Sequence, residues 1–231
     1  MPLEMEAIVQ AFALEPAERD GQKLFEGRVG AAAVTAIHTG MGPPRTRAAL
    51  SARLDAFRSG RRGVSHVMVA GICGGLSPDL EVGTLINPEL VVDHRTGTVY
   101  RHRPPMETEM SGNLITTEEA TLDHDLSRKF FDDGFVAVDM ESSAVAEVCE
   151  SRGLPWSVYR CIGDRYFDGL LDEKVLGLSN PDGSANIAAV EALLASDPSV
   201  VPKLEQLGRD ASSAARLAAD AAARACIALF S

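Results

Sequence analysis

The sequence predicts an α/β domain with a twisted, mixed sheet flanked by helices, and three observations lead there. Short β-branched runs alternate with longer stretches whose apolar residues fall at helical spacing. The strand candidates are almost continuously apolar, as strands covered on both faces must be. The 231 residues, 45% hydrophobic and 24% charged, have an ordinary globular composition. A chain of this length buries roughly 70–75% of its unfolded surface, enough for one core without metal or disulfide staples.

PLEMEAIVQAF, directly after Met1, reads as an amphipathic helix, so the order lacks the opening strand usual in such domains. The strand candidates follow at 31–40 (AAAVTAIHTG), 64–72 (VSHVMVAGI), 82–93 (VGTLINPELVVD), 135–140 (FVAVDM) and 156–164 (WSVYRCIGD). Helices are expected over 44–60, 117–134 and 141–153, each closed by a glycine suited to a C-cap. After the PDGS turn at 181–184, the Ala-rich chain from about residue 186 to 231 reads as a closing helix or helix pair. No linker or repeat divides the chain, so one domain is expected over 1–231.

Charge and cysteine usage exclude several function classes. Subtracting 33 acidic from 22 basic residues gives a net charge of −11, which opposes nucleic-acid polymers and anionic membranes. No stretch approaches the ~20 apolar residues of a membrane span, and the amino end lacks the basic and apolar regions of a secretory signal. Cys73, Cys149, Cys161 and Cys226 stand far apart without a C-x-x-C pair, as buried, reduced thiols of a cytoplasmic protein would. The histidines (His38, His66, His94, His102, His124) lack ligand spacing, so no metal and no cofactor are expected.

Parallel α/β sheets gather ligands at the carboxyl ends of their strands, and acidic residues collect there in this chain. Asp139, Met140 and Glu141 follow FVAV, Asp164 follows YRCIG, and Glu4 and Glu6 lie near the amino end. Paired carboxylates suit acid and base work. Taken singly, Asp139 is equally a helix N-cap, Glu141 a first-turn residue complementing the helix dipole, and Glu6 a solvated helix residue. The glycine segments HTGMGPP and AGICGGLSPDLEVG follow strands and allow close backbone approach to a ligand.

The succession of GMG, GICGGLSPDLEVGTLI, GNLITTEEATL, VDMESSAVAEVCESRGLPW and VYRCIGD resembles the purine and uridine nucleoside phosphorylase superfamily. Within it, the chain is similar to the methylthioadenosine/S-adenosylhomocysteine nucleosidase branch over roughly residues 2–170. The resemblance implies a nucleoside phosphorylase-type fold, a homodimer or larger oligomer, and hydrolysis of the N-glycosidic bond of a purine nucleoside or 5′-modified adenosine. It implies Asp164 as the acid that protonates the departing base, Glu6 as the group that activates water, and Met140, Glu141, Gly74 and Leu122 as substrate contacts. A phosphate-dependent phosphorylase and a catalytically silent nucleoside-binding homologue are the alternatives. A phosphorylase must hold inorganic phosphate with several donors, yet the GICGG loop has no arginine and only Arg45 and Arg47 stand near.

The chain departs from the family pattern at four places. Gly163 replaces the serine before the acid, and Ile72 stands where serine is common. Pro43-Pro44-Arg45 follows the first glycine turn, and Thr117–Leu122 lacks the aromatic that stacks on the base. Tyr166 and Phe167 are the candidate replacements for that aromatic.

Overall fold

The computed structural model describes residues 1–19, 21–60, 63–101 and 111–230; His102 lies outside them. Helix α1 (Pro2–Phe12) leads into an antiparallel meander of β1 (Glu15–Arg19), β2 (Gln22–Val29) and β3 (Ala32–Ala36), followed by α2 (Pro43–Ser59). Next come β4 (Val67–Gly75), β5 (Leu85–Ile86), β6 (Leu90–Asp93), β7 (Val99–Arg101) and β8 (Asn113–Thr116). The remaining elements are α3 (His124–Asp132), β9 (Phe135–Asp139), α4 (Ser142–Ser151), β10 (Trp156–Arg165), α5 (Glu173–Leu176), α6 (Ile187–Ser196) and the long α7 (Val201–Phe230).

Strands β4 to β10 form one mixed sheet in the order β5-β10-β4-β9-β8-β6-β7, flanked by helices, while β1 to β3 form a separate three-stranded sheet. The α/β expectation therefore holds, with the sheet in two pieces. At its centre β10 and β4 run parallel, and β4 meets β9 only through Gly74 and Gly75. Against one face pack α2 and α4, with Leu50, Leu54, Val145, Val148, Trp156 and Ile162 in the main core. Small residues let α7 lie close on β10 and α1; Ala214, Ala215, Ala218, Ala219 and Ala222 are all nearly inaccessible.

Several elements differ from expectation, among them β7 and β8, which no strand candidate covered. The helix expected over 117–134 is confined to α3, because Asp123 caps it by accepting from the N–H groups of Asp125 (2.9 Å) and Leu126 (3.1 Å). Residues 117–121 instead line a cavity. The strand expected over 82–93 is two strands separated by Asn87-Pro88-Glu89, since proline cannot donate to a ladder. The β1–β2 hairpin fell in a stretch too charged to read as strand; its residues are mostly exposed.

Candidate active site

The ends of β4, β9 and β10 open onto one large cavity of ≈1370 Å³, to which α1, the 38–41 turn and the 117–121 segment also contribute. At its centre lies a buried cation that sequence reasoning passed over. Arg160, in the middle of β10, is 2% exposed, and burying a guanidinium is tolerable only when partners surround it. Its Nη2 lies 2.7 Å from Asp139 Oδ2 and 2.9 Å from Glu141 Oε2, and its Nε donates to Asp139 Oδ2 at 2.9 Å. Its Nη1 donates to the Ile72 carbonyl (3.2 Å) and lies 3.7 Å from Glu4 Oε1. Burial alone would weaken its hold on the proton, but the field of Asp139, Glu141 and Glu4 outweighs that and raises its pKa further.

Asp139 is a structural anion. It also accepts from the Thr116 hydroxyl (2.7 Å) and from the Ser142 N–H (3.1 Å), so it ties β8 and β9 to the start of α4. Glu141, rather than Asp139, is the residue that precedes the first turn of α4, and its side chain does not cap that helix. It turns into the cavity wall, where it accepts from the Gly42 N–H at 3.2 Å. Burial raises the Glu141 pKa, with Arg160 pulling the other way. Met140 lines the cavity beside it.

The two amino-terminal glutamates part company. Glu4 enters the cavity, accepts from the Ile72 N–H at 2.8 Å and forms an ion pair with the Met1 ammonium. The approach is close enough that a Cβ on Gly71 would sit 2.1 Å from Glu4 Oε1 and 2.7 Å from Arg160 Nη1, so a side chain there would displace both groups. Glu6, two residues on, faces solvent on the opposite side of α1 with Gln10. The structure therefore places Glu4, not Glu6, among the cavity carboxylates. Helical phase was the signal: Glu4 shares a stripe with Ile8 and Phe12, Glu6 with Gln10.

Asp164 follows a bulge in β10 at Gly163 and lies in the same cavity wall. It has no cation beside it and no hydrogen-bond partner among the described residues. Burial, with a smaller contribution from the Asp168 charge, raises its pKa to about 6. Gly74 faces it, and a Cβ there would lie 3.7 Å from Asp164 Oδ2. Leu122 lies off the main cavity, in an adjoining recess with Gly74, Thr121, Tyr166 and Asp164. Of the two candidate aromatics, Tyr166 borders this recess; Phe167 turns away, with the Arg165 guanidinium 4.8 Å from its ring centre.

Arg47 is engaged outside the cavity with Glu147 (2.6 Å), while Arg45, the carboxylate-bound Arg160 and the Glu4-bound Met1 ammonium line the cavity near these groups. Among the described residues no three His, Cys, Asp or Glu side chains cluster as metal ligands. No helix among them is long and apolar enough to cross a membrane. The arrangement thus offers a carboxyl that holds its proton to about pH 6 at one wall and carboxylates held by a fixed cation at the other.

Comparison with known proteins gives this geometry a setting. A sequence model described as the phosphorylase superfamily matches residues 1–133. The 5′-methylthioadenosine/S-adenosylhomocysteine nucleosidase of Mycobacterium bovis is 28% identical over 194 residues, covering 62% of this chain and 74% of the relative. Among solved structures, the Helicobacter pylori nucleosidase of the same name superposes with a TM-score of 0.71 at 16% identity, covering 98% of this chain and 94% of that one. The Streptococcus pneumoniae nucleosidase, solved with 8-aminoadenine, gives a TM-score of 0.70 at 16% identity, with coverage of 99% and 96%.

Proposed function

Because the chain belongs to the phosphorylase superfamily, we propose that it hydrolyses the N-glycosidic bond of a purine nucleoside or a 5′-modified adenosine. One observation carries the reading: Asp164, its proton retained to about pH 6, shares a cavity with Glu141 and Glu4. The relatives' names supply the substrate class.

A purine leaves C1′ poorly as an anion. Asp164 delivers its proton to a ring nitrogen as the glycosidic electron pair moves onto the base, help worth roughly 10²- to 10⁴-fold. The sugar then gains oxocarbenium character. Glu141 accepts from the ribose hydroxyls and places negative charge near that centre, while Arg160 and the Gly42 N–H fix its rotamer. Met140 and Gly74 pack against the nucleoside, and Leu122 borders the recess beside the acid. Glu4 takes a proton from the water whose oxygen bonds to C1′, completing free base and ribose. Glu6 has no part in this scheme.

Hydrolysis is preferred to phosphorolysis because Arg160 is already committed to carboxylates and Arg47 to Glu147. The same reading takes the protein as a cytoplasmic homodimer with four reduced thiols; light scattering after size exclusion tests the dimer. Incubation with methylthioadenosine, adenosine and inosine, with and without phosphate, tests the reaction. Base is expected in both conditions, and release only with phosphate would make the enzyme a phosphorylase.

A further inference from the structure

A helix whose first side chain is turned toward a cavity must have its opening N–H groups satisfied from elsewhere. Glu141 holds the position before the first turn of α4, where a side-chain oxygen ordinarily accepts from an N–H two or three residues on. It makes no such bond. Its oxygens are engaged instead with the Gly42 N–H at 3.2 Å and with Arg160 Nη2 at 2.9 Å.

Three side chains from the sheet take over the capping. Strands β6, β8 and β9 run parallel, and their registers set Asp93, Thr116 and Asp139 side by side at the carboxyl ends. Asp139 accepts from the Ser142 N–H at 3.1 Å, Thr116 Oγ1 from the Ser143 N–H at 3.0 Å, and Asp93 from the Ser143 hydroxyl at 3.1 Å. All three are buried, and the positive end of the helix favours the two carboxylates.

Thr116 links this cap to the cation of the site. Its oxygen accepts from Ser143, so its own proton goes to Asp139 Oδ1 at 2.7 Å. The Ser142 N–H reaches that same oxygen at a longer 3.4 Å, while Arg160 takes the other one, Oδ2, through both Nε and Nη2. The hydroxyl thereby orients the carboxylate that orients the guanidinium, and the guanidinium in turn holds Glu141.

We propose that Thr116 is a positioning residue for ribose recognition: it caps α4 in place of Glu141 and fixes Asp139 against Arg160, leaving Glu141 to face the nucleoside. The inference rests on the hydrolase reading for the identity of the ligand. Without the hydroxyl, the buried Ser143 N–H loses its acceptor at the place where the side chain preceding a helix reaches. Glu141 then competes for that N–H, at the expense of Gly42 and of the sugar. Hydroxyl recognition is what weakens; proton delivery from Asp164, at the other wall, does not.

The test compares adenosine with 2′,3′-dideoxyadenosine, which offers Glu141 no hydroxyl. The readout is the ratio of their kcat/KM values, because a loss of folded enzyme and the intrinsic lability of each glycosidic bond both cancel when variants are compared. Thr116→Val, nearly equal in shape, should lower the ratio about tenfold, as losing a hydrogen bond to a charged group does, chiefly through a higher KM for adenosine. Thr116→Ser keeps the hydroxyl and should restore the parent ratio. An unchanged ratio in Thr116→Val, or an equal fall in Thr116→Ser, overturns the proposal. Should Thr116→Val fail to fold, Thr116→Cys, whose thiol is a weaker donor and acceptor, must lower the ratio, and an unchanged value there overturns it as well. If the parent binds both nucleosides and cleaves neither, the hydrolase reading falls, while the same ratio, read from Kd by calorimetry, still decides for or against Thr116.

Discussion

Arg160 and Asp164 lie four residues apart on one strand and face the same cavity, yet their surroundings are opposites. Arg160 is ringed by Asp139, Glu141, Glu4 and a carbonyl, every guanidinium nitrogen within reach of an oxygen. Asp164 has no cation and no hydrogen bond among the described residues, only enclosure and the distant push of Asp168. The first is a charge network that holds geometry; the second is an isolated acid whose proton is kept by desolvation. Satisfaction and deprivation on the same strand set the positioning role that the proposed hydrolysis gives Arg160 apart from the proton-donating role it gives Asp164.

The largest expected effect removes the deprived acid. Asp164→Asn should lower kcat by about 10²- to 10⁴-fold, or about 3–5 kcal/mol of barrier, with little change in KM. The folded protein keeps this proton to about pH 6, whereas an unperturbed carboxyl loses it near 3.8. The group therefore favours folding below the lower value, and that contribution is lost as pH climbs through the higher one. Asp164→Asn should accordingly be at least as stable as the parent at pH 7, and wild-type kcat should decline above about pH 6. Denaturation curves and a pH–rate profile check both; a less stable variant or a flat wild-type profile would sink the isolated-acid account.

Breaking the satisfied partner should show the reverse. Arg160→Met leaves Asp139 and Glu141 enclosed without their cation, and losing one member of a buried pair costs about 3–5 kcal/mol. The predicted loss appears in urea midpoints, with Arg160→Lys recovering only part because it cannot fork between two carboxylates. If Arg160→Met melts like the parent, the network contributes no stability.

The amino-terminal glutamates sharpen the same contrast. Glu4→Gln should reduce kcat by about 10²-fold, as loss of a general base does, while Glu6→Gln on the solvent face should leave kcat and Tm within error. Equal losses would return Glu6 to the reaction.

What the sequence disclosed follows the same physics. The strand-end acids Glu141 and Asp164 were legible because they close apolar runs, and α2 and α4 because helical periodicity and terminal glycines agree. Glu6 was named from the family resemblance alone, and the helical phase that puts Glu4 with Ile8 and Phe12 is the signal that would have brought Glu4 to the cavity instead. Arg160 was passed over although an arginine inside VYRCIGD cannot be solvated on a covered strand and must have acidic partners. The helix over 117–134 failed because its apolar spacing continued across a capping aspartate at 123.

The smallest effect concerns how Asp164 is held. β10 bulges at Gly163, and a Cβ there would meet Ile72 Cβ at 3.3 Å and Cδ1 at 3.4 Å. Both positions depart from the family pattern, where serine is common, and they touch: a Cβ at 163 would require the branched side chain at 72 to give by a few tenths of an ångström. Gly163→Ser should then cost about 1–3 kcal/mol through overpacking. Ile72→Ala removes Cδ1 and Cγ2, so the double variant should lose less stability than the two single losses added, by about 0.5–3 kcal/mol. A double-mutant cycle in urea measures that difference. Simple additivity would mean that the glycine answers to the bulge alone and that Asp164 owes its position to the backbone rather than to Ile72.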